Sequence, residues 1–172
     1  DWSSYVCSSD LDAGIPIAPD GQGPEIYLDL AALGLIGDVS AMTGASRALT
    51  RAGLAQMVRH PRPGIVALAQ AAKVDLGRLT TTDVSFRITP RLNAAGRMAD
   101  PSLSLDLLLA PNPVVAYQLV SELEGLNSQR KIATDQITRA AEQLIQAQSS
   151  WESQPVMVVR SEGWQAGVVG IV

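Results

Sequence analysis

From Pro113 to Gln148 the chain has no further proline and a single glycine, Gly125. Asn112 and Pro113 open this stretch with a strong helix-start signal. A side-chain acceptor at the cap is followed by a residue whose missing N–H costs nothing in the first turn. Apolar residues recur at Ala116, Leu119, Leu123, Leu126, Ala133, Ile137, Ala140 and Leu144. Those steps of three and four, with one of seven, place a stripe along one helix face. At 1.5 Å per residue such a helix runs on the order of 50 Å, more than the width of a small domain. The spacing therefore predicts a helix that links two domains, spanning 111–150.

The flanking chain reads as shorter elements. Residues 12–25 are rich in proline and glycine and read as loop. Tyr27, Leu28, Leu30, Ala31, Leu33, Leu35 and Ile36 predict a buried helix, with Gly34 and Gly37 allowing close backbone packing. Asp38 follows it, a position where an aspartate is buried, caps the helix or binds metal; spacing alone favours the cap. Ser46 is a candidate cap for a second helix, which His60 ends before Pro61. His60 is the only histidine, and it reads as a surface loop residue. Pro63 and Gly64 start a short helix over 65–72. Thr80 or Thr81 caps the next, with Asp83 in its first turn and Phe86 expected to point into the core. An extended step at Thr89 before Pro90 follows, then a short apolar helix over 102–109. The run Val156, Met157, Val158, Val159 reads as a buried strand.

The chemistry concentrates at Arg91-Leu-Asn-Ala-Ala-Gly-Arg97. No acid lies between Val84 and Met98, and Arg87 adds a third cation. As a loop, this stretch offers two guanidiniums able to fork onto phosphate oxygens, with Asn93 as a further donor and Gly96 free to take a positive φ. A helix-start loop with solvated arginines fits the same residues equally well. Composition constrains the surroundings. An apolar fraction of 47% and a charged fraction of 17% describe a globular chain. A net charge of −4 argues against non-specific wrapping of nucleic acid, while leaving room for a local basic groove. The single cysteine forms no internal disulfide and fits a reducing compartment. No apolar run reaches the roughly 18 residues of a membrane span. No Walker loop, zinc-spaced Cys/His set or Ser-His-Asp candidate is present.

Several segments, in order, resemble the RecJ family of DHH phosphoesterases. Residues 90–98 resemble the family's Pro-Arg-Ile-Asn-Ala-Ala-Gly-Arg-Met. Residues 27–39 look like its fourth motif, Leu-Asp-Leu-Val-Ala-Leu-Gly-Thr-Ile-Ala-Asp-Val, with Leu35 for Thr and Gly37 for Ala. The Leu126-Asn-Ser-Gln-Arg-Lys131 run resembles part of the family's connecting helix, with Gln129 in place of an acid; its charges read as a solvated face. Residues 163–172 resemble the start of the DHH-associated domain, with Gln165 where the family has His.

The resemblance implies an α/β protein that is mostly helical in this stretch. Residues 12–110 would be the back of a DHH catalytic domain, 111–150 the connecting helix and 151–172 the start of the DHH-associated domain. Residues 1–11 resemble translated sequencing-adaptor sequence and read as a non-native tail. The family resemblance further implies a cytoplasmic 5′-to-3′ single-stranded-DNA exonuclease of repair and recombination, using Mn or Mg, with single-stranded DNA and other repair proteins as partners. Asp38 would be catalytic as a metal ligand; Arg91, Asn93 and Arg97 would bind nucleic-acid phosphate. Arg47 matches the arginine of the family's Gly-Glu-Asn-Arg stretch, whereas Ala45 and Ser46 do not, and it either supports the acidic site or is solvated. Because the family's Asp-x-Asp, central Asp and Asp-His-His motifs are absent, the chain reads as an internal fragment without activity of its own. A related phosphoesterase acting on short oligonucleotides or cyclic dinucleotides, and a non-catalytic helical module, are the alternatives.

Overall fold

The computed structural model describes residues 23–148 and 151–172; the adaptor-like reading of 1–11 lies outside them. The described residues are helical and contain no β-strand. They fall into two compact units, one ending at His60 and the other running Pro61–Val172.

The first unit is a pair of helices, α1 (Leu28–Gly37) and α2 (Gly44–Arg59), entered through a 3-10 turn at Pro24–Tyr27. Ala32, Leu33 and Ile36 of α1 and Met57 of α2 are buried between them. The close approach expected at Gly34 occurs instead at Gly53 of α2. A Cβ on Gly53 would run into the Leu28 carbonyl and the Ala32 methyl, whereas one on Gly34 meets nothing within 4 Å. Helix α2 starts earlier than expected, with Thr43 rather than Ser46 at the cap and no side-chain cap bond. At the other end of α1, Ser40 N–H donates to Leu35 O at 3.0 Å and Val39 N–H to Ile36 O at 3.2 Å. These paired bonds close the helix through a left-handed residue, here Val39 with φ of 54°.

The second unit is built on the long helix. It comprises α3 (Pro63–Ala71), α4 (Thr81–Asp83), α5 (Thr89–Met98), α6 (Ser102–Leu108), α7 (Pro113–Gln146) and α8 (Ala166–Val169). Asn112 caps α7, its Oδ1 accepting from Val115 N–H at 3.0 Å. Helices α3, α5, α6 and α8 all pack on α7. Ile65 and Leu68 of α3, Ala94 and Ala95 of α5, Leu107 of α6 and Val168 of α8 are all buried.

The inward stripe of α7 differs in register from the apolar pattern. It runs Ala116, Val120, Leu123, Asn127, Ile137, with Val120 and Asn127 buried where Leu119 and Leu126 were expected. Steps of four, three and four follow the helix period more closely than the sequence pattern did.

Residues 81–98 form one continuous helical run, so neither the extended step at Thr89 nor the loop at 91–97 exists. Thr89 is right-handed helical, with φ of −55° and ψ of −43°. The reason is a π-helical stretch at Val84–Ile88. Proline within a helix removes a backbone donor and pushes its ring into the carbonyl four residues back. One turn of wider π geometry accommodates both effects. The same stretch rotates the side chains. Val84 and Ile88 are buried, and Phe86, expected in the core, is 76% exposed.

Residues 156–159, expected as a buried strand, take no regular secondary structure. Val156 and Val158 are exposed while Met157 and Val159 are half-buried, an alternation of period two. The side-chain pattern of a strand is present, but no neighbouring strand among the described residues pairs its backbone.

Candidate nucleic-acid interface

Helical geometry decides what the 91–97 motif can do. At about 100° per residue, Asn93 and Arg97 lie on one face, while Arg91 lies near Ala94 and Ala95 on another. Burial follows this division: Ala94 and Ala95 are fully buried, and Asn93 and Gly96 are exposed. The two arginines therefore do not share a ligand-facing surface.

Arg91 is engaged within the fold. Its Nε lies 2.6 Å from Glu124 Oε1 of α7. The N–H is not aimed along that line, so the contact is an ion pair without a formed hydrogen bond. Its Nη1 donates to Arg87 O at 2.6 Å and its Nη2 to Ala71 O at 3.5 Å. One guanidinium thus joins α5 to α7 and to the end of α3. Arg87 is similarly occupied, 3.4 Å from Asp83 Oδ1. Below it, Thr80 and Asp83 form a reciprocal capping box: Asp83 N–H donates to Thr80 Oγ1, and Thr80 N–H to Asp83 Oδ2, both at 3.1 Å.

Arg97 is half-buried at the C-terminal end of α5. Its Nη1 donates to Gly167 O at 2.9 Å. Gly167 is needed there, because a Cβ would strike the Arg97 carbonyl group. Close packing around α8 is present at Gly167 and absent at Gly170, where a Cβ meets nothing within 4 Å. Gly96 keeps ordinary helical backbone, without the positive φ a loop would have used. A Cβ there would touch only Pro101 Cβ, at 3.6 Å. Asn93, Gly96 and Arg97, spaced i, i+3 and i+4, present an open face with an amide, bare backbone and a guanidinium.

The inward side of α7 carries two polar residues, Asn127 and, one turn on, Arg130, whose charge was expected on a solvated face. Asn127 is 2% exposed. Its Oδ1 accepts from Arg130 Nη2 at 3.0 Å. Arg130 Nε is buried without a hydrogen-bond partner. Burial first, and the charge of Arg97 second, hold the Arg130 pKa below its ordinary value. The available signal was the seven-residue step between Leu126 and Ala133. The apolar stripe skips a turn there, and Asn127 and Arg130 fill it.

Asp38 belongs to the first unit. It is exposed at the C-terminal cap of α1, its N–H donating to Gly34 O at 2.9 Å. A carboxylate at the negative end of a helix dipole favours a cation nearby. It supplies one ligand oxygen, and among the described residues no group of three or more His, Cys, Asp or Glu is arranged to hold a metal. Asp29, the other acid of that stretch, is fully buried, its Oδ1 accepting from Leu30 N–H at 2.9 Å. Arg47 is exposed on α2. The structure brings Asn93 and Arg97 onto one face, separates Arg91 from them, and carries Asp38 on the other unit.

No protein-family profile matches the chain. Curated relatives do. The chain is 33% identical over 152 residues to the single-stranded-DNA-specific exonuclease RecJ of Bacillus subtilis, covering 88% of this chain and 19% of that protein. It is 40% identical over 149 residues to RecJ of Salmonella typhimurium, covering 84% and 26%. Among solved structures, RecJ from Thermus thermophilus in complex with Mn2+ superposes with a TM-score of 0.75 at 32% identity, over 94% of this chain and 23% of that one. An exonuclease RecJ bound to manganese gives 0.74 at 33% identity, over 87% and 37%. The chain spans a fifth to a quarter of the curated relatives' length.

Proposed function

Because the chain belongs to the RecJ family, we propose that it is the part of a metal-dependent single-stranded-DNA exonuclease that holds the strand's phosphates against α5. The observation that carries this is the outward face of Asn93, Gly96 and Arg97, within a stretch that has no acid from Val84 to Met98. A guanidinium and an amide on bare helical backbone suit phosphate and sugar contacts, which fix register without reading sequence. Arg91, whose charge is taken up by Glu124, acts as the positioning residue that sets α5 on α7. Asp38 supplies one carboxylate to a Mn or Mg site, hard cations that prefer such oxygen ligands. The metal, when bound, activates water and neutralises charge on the phosphoryl group. Among the described residues no group of three or more His, Cys, Asp or Glu is arranged to hold the metal, and the part proposed for this chain is to bind the strand rather than to cut it. In the whole protein, hydrolysis would release mononucleotides from the 5′ end during repair and recombination.

The test is binding of fluorescent oligo-dT to the chain across a salt series. Asn93 is exposed, so Asn93→Asp leaves the fold alone and adds a repelling charge. Affinity should fall several-fold on mixed-sequence strands as well as dT. Arg97→Gln should reduce the slope of log K against log salt by about 0.7, the contribution of one phosphate on single strands. Wild-type affinity and slope in both variants would overturn the assignment. Metal-dependent nucleotide release by the chain that Asp38→Ala abolishes would overturn the reading that it binds without cutting.

A further inference from the structure

We propose that Arg130 of α7, the helix on which α5 packs, is a second group contacting the phosphates of the bound strand. The proposal rests on the reading of Arg97 as a phosphate contact and adds a residue from a different helix. The first argument is position. Arg130 follows Asn127 by one helical turn on the inward stripe of α7, where Ala116, Val120, Leu123 and Ile137 are apolar. A leucine there would continue the packing without cost, whereas a partly desolvated charge is unfavourable unless paired.

The second argument is partners. Asn127 takes one N–H of Arg130, at 3.0 Å, and so fixes the plane of the guanidinium. The Arg130 Nε is buried and has no acceptor. A buried donor without a partner calls for a ligand, water or ion to complete it.

The third argument is charge. Burial first, and the charge of Arg97 second, disfavour the protonated form of Arg130. Two like charges repel; phosphate oxyanions turn that repulsion into attractive, charge-assisted contacts. Arg97 is itself held from behind by Gly167 O, which leaves its other N–H groups able to point elsewhere. Helices α5 and α7 thus each contribute one anchored guanidinium, Arg97 steadied by Gly167 and Arg130 by Asn127.

The experiment is an NMR titration of arginine Nε–H signals in the 172-residue chain, using inorganic phosphate in one arm and an oligo-dT without terminal phosphate in the other. It is paired with oligo-dT affinities of Arg130→Gln and Arg130→Lys. Saturation with oligo-dT should shift both the Arg97 and Arg130 signals. Arg130→Gln should lose several-fold in affinity with a shallower salt slope. Arg130→Lys, which keeps charge but not the fork, should recover the slope and only part of the affinity. The inorganic phosphate arm should shift the same two signals at much higher concentration. If the Arg97 signal moves and that of Arg130 does not, Arg130 serves only to hold Asn127, and this inference fails while the α5 reading stands. If neither moves, both fail. Should Arg130→Gln not fold, the wild-type titration and the lysine variant still decide.

Discussion

Gly167→Ala tests whether the junction of α5 and α8 is as tight as the structure requires. A Cβ at Gly167 would run into the Arg97 carbonyl oxygen and lie 3.1 Å from its carbonyl carbon and Cα. The obstacle is backbone, so no rotamer change removes it. Restoring an ordinary contact moves α8 off α5 by roughly 1 Å. That displacement carries Gly167 O out of reach of Arg97 Nη1, now at 2.9 Å. Losing a hydrogen bond from a charged donor costs about 1.5–3 kcal/mol. The residual overpacking costs about 1–3 kcal/mol. Against these, alanine improves helix propensity over glycine by about 1 kcal/mol. The balance is a local loss of about 1.5 kcal/mol, taking the lower end of each cost. The amides of Val168, Val169 and Ile171, all bonded within this turn, should lose roughly tenfold in hydrogen-exchange protection. Gly125→Ala is the control: it lies mid-helix in α7 with nothing within 4 Å of the added methyl, so only the propensity gain remains. If Gly167→Ala keeps or increases protection at those amides, close approach does not govern the junction, and the support of Arg97 by α8 is refuted.

Two further outcomes follow from the helix ends. Val39 and Lys73 both hold φ of 54° after α1 and α3, a region that costs an L-residue about 1–2 kcal/mol. Glycine relieves this at an entropic cost of about 0.5–1 kcal/mol, so Val39→Gly and Lys73→Gly should each raise the urea midpoint at constant m-value, and an unchanged or lower midpoint would rule out the strain. The Asp83 carboxyl is held below its ordinary value, first by the Thr80 hydroxyl, which outweighs the opposing effect of burial, and then by Thr80 N–H and Arg87. A depressed folded pKa stabilises above the unfolded value and is lost as pH falls through the folded one. Helix α4 should therefore fray only in acid below the ordinary carboxylate range. Thr80→Ala should return the Asp83 pKa, read by carboxyl NMR, toward 3.8; no change would exclude the capping box as its cause.

What sequence reading found in the fold were features with local causes. The Asn112 cap, the Pro63 start, the Thr80 box and the end of α2 before His60 each follow from a few adjacent residues, and each is present. What it missed depended on geometry beyond its window. Pro90 was read by its usual effect on the preceding residue. A π turn upstream removed that effect, extended the helix through the motif and turned Phe86 outward. The valines at 156–159 carry strand alternation. Strand formation needs a partner, and alternation alone supplies none.

The candidate site was legible as composition and illegible as arrangement. Two arginines six positions apart look like a pair in a loop. On a helix, the same spacing turns them about 120° apart, enough that one becomes structural while the other faces outward. Arg91 has an acid on α7 to meet it, whereas Arg97 meets a backbone carbonyl. The residue that feels the charge of Arg97 is Arg130 of α7, which sequence reading had assigned to solvent because arginine usually belongs there. Its inward position was encoded only by what the stripe lacked, an apolar residue at the helical step midway between Leu126 and Ala133. A polar gap in an otherwise regular helical stripe therefore carries information about a site, since a chain selected for packing alone would have filled it.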